Sequence, residues 1–91
     1  MYKFELTIHS IADCGEDLSK GEPIVASYEG NDLDAMKRDI DFSILDAMRK
    51  FNANDGETFV ELLIERNGEY YDHDEATVFV DLKNNRIEYG V

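Results

Sequence analysis

A chain of 91 residues is one domain's worth, and 21 acids against 9 bases give it a formal charge of −12. Charge of this size and sign repels nucleic acid and anionic membrane, which disfavours direct binding to either. Apolar residues at 43%, with five Tyr and five Phe, are enough for a core and argue against a disordered chain.

Residues 2–8 alternate strictly, with Tyr2, Phe4, Leu6 and Ile8 set against Lys3, Glu5 and Thr7. That is the pattern of a half-buried strand. Residues 10–22 are polar, hold Gly15 and Gly21, and read as a loop. Pro23 opens a second strand running to about Glu29, with Ile24, Ala26 and Tyr28 turned inward. The two strands form a wide hairpin.

Gly30-Asn31-Asp32 marks a helix start, with Asn31 or Asp32 as the cap. Leu33, Met36, Ile40, Ile44, Ala47 and Phe51 step by three or four residues, which predicts one helix over 32–51. Acids at its start and Arg49 and Lys50 in its last turn suit the helix dipole.

The last third reads as a meander. Thr58, Val60, Leu62 and Ile64 form an inward phase that ends at Asn67-Gly68, a preferred type I′ pair. Pairing across that turn sets Arg66 opposite Glu69 and Ile64 opposite Tyr71, which turns Tyr71 to the core and Tyr70 outward. The next inward set, Ala76, Val78, Val80 and Leu82, is even-numbered, so a bulge is expected within 72–75. A tight turn at Asn84-Asn85 is expected to pair Leu82 with Ile87, Val80 with Tyr89 and Val78 with Val91.

The expected fold is a single α+β domain over 1–91. Its order is ββαβββ, with a mostly antiparallel sheet and one amphipathic helix on one face. One helix covers one face, so the other is open to solvent or a partner. The outward phase mixes carboxylates with Phe59, Leu63 and Phe79, a composition that marks interaction surfaces. A second copy of the chain is one candidate cover for this face.

Acidity is concentrated. Residues 10–36 hold seven acids and one base, residues 54–65 four acids and no base, and residues 69–82 five acids and no base. Within the last stretch, Asp72-His73-Asp74-Glu75 has metal-ligating side chains but lacks the spacing of a calcium loop. Cys14, the only cysteine, sits among Asp13, Glu16 and Asp17, whose charge opposes thiolate formation. One thiol with no disulfide partner fits a reducing cytoplasm. Met1 to Glu5 lacks a signal-peptide pattern, and no apolar run nears the roughly 18 residues of a membrane span. Phosphate-cradling loops, nucleophile elbows and CxxC pairs are absent from the sequence, and no carboxylate pair stands in an apolar setting. No catalytic residue, metal ligand or cofactor is therefore assigned.

The surface suits a basic protein partner, such as a nuclease or another nucleic-acid-binding protein. The first reading is an acidic inhibitor whose carboxylates imitate phosphates in a basic groove, as an anti-CRISPR or anti-restriction protein of a phage or mobile element would do. Its contact residues would be Glu61, Glu65, Glu69, Tyr70, Asp72, Asp74 and Glu75, with Asp13, Glu16 and Asp17 as a second patch. The alternative is a cognate-partner or immunity-type module that binds through Phe59 and Phe79. A third reading, a small metal-binding domain, would use Asp72, His73 and Asp74.

Overall fold

Alternating apolar residues build β1 (Tyr2–Ser10), whose Phe4, Leu6 and Ile8 are buried. The structure, a computed structural model, describes residues 1–11, 17 and 21–90. Among the described residues it is an α+β domain with a five-stranded antiparallel sheet and two helices. After β1 come β2 (Ile24–Gly30), α1 (Leu33–Arg38), α2 (Ile40–Lys50), β3 (Gly56–Arg66), β4 (Glu69–Asp81) and β5 (Arg86–Tyr89). The sheet order is β2-β1-β3-β4-β5. β1 therefore pairs on both edges, and Phe4 lies between Tyr28 and Ile64.

The helix expected over 32–51 is divided at Asp39, whose φ of −92° and ψ of 9° leave the helical region. Ser43 explains the bend. Its hydroxyl donates to the Asp39 carbonyl at 3.2 Å beside the Ser43 amide at 3.0 Å, and such back-bonding bends helices. Asp32 is the N-cap and accepts from the Ala35 amide at 3.1 Å. α2 carries the packing through Ile44, Leu45, Ala47 and Met48. Phe51 leaves the expected stripe and is 60% exposed. The helix ends there in a Schellman turn, with the Ala53 amide on the Met48 carbonyl at 2.9 Å and Asn52 at φ 53°. That turn points Phe51 away from the sheet and seats Ala53 against the core instead.

Two edge tyrosines hold α2 to the sheet. From β2, Tyr28 donates its hydroxyl to the Ser43 carbonyl at 3.1 Å. From β5, the Tyr89 hydroxyl donates to Asp41. Arg49 adds a third tie, donating to the Leu82 carbonyl at 2.8 Å and to the Asn85 side chain.

Two register expectations are corrected. At the β3–β4 hairpin, Asn67 and Gly68 both adopt positive φ and set Arg66 opposite Glu69, but Ile64 faces Asp72 and not Tyr71. The extra residue is Tyr71, just before the expected range of 72–75. It is held there by an edge-on contact with Tyr2 and is 45% exposed, so it does not join the core. At the last hairpin, Val80 faces Ile87 and Val78 faces Tyr89, two residues away from the expected pairing. The cause is the loop. Asp81 accepts from the Asn84 amide at 3.2 Å and the Asn84 side chain at 2.8 Å, and Asn85 adopts φ 53°, which makes a turn through Leu82–Asn85. These Asn84 bonds also hold the Asp81 carboxyl below its usual range. A shift of two leaves every side chain on its expected face. Val91 lies outside the described residues.

Candidate functional site: an open acidic sheet face

α1 and α2 lie over the even-numbered side of β1, β3 and β4. No described helix covers the odd-numbered side. Cross-strand register sets its side chains in rows. Lys3, Glu65 and Tyr70 form one row, then Glu5, Leu63 and His73, then Thr7, Glu61 and Glu75, then His9, Phe59 and Thr77. Glu57, Phe79 and Glu88 close the series. Along β3 the acids Glu57, Glu61 and Glu65 recur every fourth residue, about 13 Å apart at strand rise. Phe59 and Leu63 stand between them, and both are half-buried.

Charges on this face are incompletely matched. Glu61 lies directly opposite Glu75, a like-charge pair. His9 Nε2 meets Glu61 Oε2 at 3.1 Å, and the His9 ring tilts against Phe59 with centroids 6.0 Å apart. Arg86 is taken by Glu88 at 2.9 Å. Glu75 is exposed and makes no ion pair among the described residues. Tyr70 and Phe79 are 67% and 43% exposed. The Tyr70 hydroxyl and His73 Nδ1 are 3.3 Å apart.

The residues singled out in the sequence separate by strand parity. Glu61, Glu65, Tyr70, Glu75, Phe59 and Phe79 share the open face. The bulge at Tyr71 sends Asp72 and Asp74 to the other side, opposite Ile64 and Leu62, and Glu69 lies opposite Arg66 on that side too. His73 projects from the open face, so Asp72, His73 and Asp74 do not converge on one ion. No metal-binding cluster occurs among the described residues. Asp17 is exposed, whereas Asp13, Cys14 and Glu16 lie outside the described residues.

Sequence reasoning missed two features of this region. One is Glu57 and His9 as members of the open face, which alternation along β1 and β3 could have supplied. The other is on the helix side. There β4 turns from apolar Val78 and Ala76 to Asp74 and Asp72, while β3 stays apolar at Leu62 and Ile64. An open groove of about 280 Å³ results, floored by apolar side chains and bordered by Lys37, Asp72, Asp74 and Tyr89.

No helix among the described residues is long and apolar enough to cross a membrane. No family model, curated protein or solved structure matches the chain.

Proposed function

We propose that the chain is an acidic protein-binding inhibitor that occupies a basic, nucleic-acid-binding groove of another protein. A nuclease is the partner type that fits best. The observation that carries this reading is the face of the sheet that no described helix covers. It sets Glu61, Glu65 and Glu75 on neighbouring strands beside the exposed rings of Tyr70 and Phe79. Carboxylates held in fixed rows by a sheet present negative charge to Arg and Lys without ordering cost at the moment of binding. The overall charge of −12 adds long-range attraction to a basic surface, which raises the association rate and makes it sensitive to salt. No reaction chemistry is assigned to the chain.

The test is a binding series against purified nucleases and other basic nucleic-acid-binding proteins, run at increasing ionic strength with DNA or RNA as competitor. Affinity that falls with salt and is lost to the competitor supports the reading. Binding that ignores both removes it. A second reading, a cognate-partner module, is favoured by the exposure of Phe79 beside half-buried Phe59. There, Phe59→Ala and Phe79→Ala would weaken binding more than Glu61→Gln or Glu75→Gln.

A further inference from the structure

The groove on the helix side of the hairpin lies on the face opposite the acidic rows. Its floor is Leu62, Ile64, Ala76, Ile40 and Ile44, left partly uncovered beside α1, which buries no residue fully. The apolar phase of β4 stops at Ala76. Asp74 and Asp72 take the next inward positions, directly across from Leu62 and Ile64. An apolar floor with a carboxylate wall at core-phase positions is unsuited to closure by the chain's own side chains. It also resists a purely apolar guest, whose burial would strip water from two carboxylates.

The adjoining edge of β4 is equally specific. β5 pairs only with 78–81, so the strand before Val78 has no neighbour on that side among the described residues. The His73 and Glu75 amides are taken by the carboxylates of Asp72 and Asp74, each at 2.8 Å. Addition of a further strand would have to break both bonds, which is how natural edges avoid pairing. The occupant is thus held by side chains and not by its backbone.

We propose that this groove seats an apolar side chain of a basic peptide segment, with flanking Arg or Lys on Asp72 and Asp74. Charge complementarity selects this guest. The wall is acidic, and Lys37 is the one basic residue in the lining. The volume of about 280 Å³ is at the small end of ligand sites, and suits one anchor side chain better than a drug-sized molecule. This surface shares Glu75 with the acidic-decoy reading, since Glu75 also lines the groove, whereas Glu61 does not line it.

The experiment titrates isotope-labelled protein with three capped pentapeptides, followed by amide shifts. The probes are Gly-Arg-Leu-Arg-Gly, Gly-Arg-Gly-Arg-Gly and Gly-Glu-Leu-Glu-Gly. Saturable shifts at Leu62, Ile64, Ala76 and Ile40 with the first, at least fivefold tighter than with the other two, are expected. The double variant D72N/D74N, which changes exposed residues only, should remove most of that preference. Equal response to all three peptides, or no response, overturns the proposal. Shifts confined to Phe59, Leu63 and Phe79 also overturn it and leave the open-face reading intact. Shifts at the groove amides on dilution of the protein alone would give the groove to a second copy, and overturn it likewise. Loss of nuclease binding by Glu61→Gln with peptide binding retained would separate the two surfaces.

Discussion

Tyr71 stands edge-on to Tyr2, with ring centroids 5.6 Å apart and planes at 77°. Arg66 lies over the other side of this pair, its guanidinium carbon 5.9 Å from the Tyr2 ring. Tyr71 is the extra residue of the β4 bulge, beyond which Asp72 and Asp74 take the helix side. Edge-to-face aromatic pairs contribute about 0.5–1.5 kcal/mol beyond the area they bury. A double-mutant cycle of Tyr71→Ala and Tyr2→Ala in urea should give a coupling of that size. A coupling near zero would mean the bulge is held by the turn alone.

Glu61 and Glu75 face each other across β3 and β4. Removing the repulsion should stabilise the fold while weakening a basic partner. Glu75→Lys is expected to raise stability by about 0.5 kcal/mol at low salt, an advantage lost at high salt. The same change should lower affinity for a basic groove. If Glu75→Lys left stability unchanged at every salt concentration, side-chain splay would already be relieving the clash.

Tyr28 and Tyr89 both have phenol groups held above their ordinary value of 10.0, in each case first by burial and then by a carboxylate, Asp46 or Asp41. The folded chain therefore keeps these protons where the unfolded chain has lost them. The stability they confer is complete below pH 10.0 and declines as pH rises through the folded values. Urea midpoints measured from neutral to strongly alkaline pH should fall in that window. Tyr28→Phe with Tyr89→Phe should flatten the decline, and an unaltered slope would assign it to other groups.

Asp32 caps α1 through the Ala35 amide. Asp32→Ala should cost about 1 kcal/mol, with Asp32→Asn or Asp32→Ser recovering most of it. A melting temperature unaffected by Asp32→Ala would show that α1 frays without loss to the rest of the domain.

Side-chain phase was readable because it depends only on alternation. Phe4, Leu6 and Ile8 are inside and Phe79 is outside, as the pattern of two requires, and Tyr70 is outside because the turn at Asn67-Gly68 sets it opposite Glu65. Register was less readable, because it depends on loop chemistry. Asn84-Asn85 resembles a two-residue turn, but the carboxylate of Asp81 draws Asn84 back and lengthens the loop by Leu82 and Lys83, both on its β4 side. The helix period concealed the bend at Asp39, since Leu33, Met36 and Ile40 continue the stripe across it. The candidate site was half visible. Parity placed Glu61 and Glu65 correctly, but the bulge at Tyr71, which packs on Tyr2 far away in sequence, sends Asp72 and Asp74 to the other face. No local pattern reports such a contact.

The place of β1 between β2 and β3 governs the order in which the molecule can assemble. Tyr2 pairs with Gly30 on one side and with Arg66 on the other. During synthesis the first hairpin and the helices can leave the ribosome while one border of β1 still lacks its neighbour. Closing that border requires a long loop to be brought together before any pairing energy is returned, which slows folding in chains of non-local topology. The nascent chain thus carries one unpaired border of β1, with Phe4, Leu6 and Ile8 on its inward face, until Arg66 has emerged, and its exposure to chaperones and to mispairing ends only with that residue.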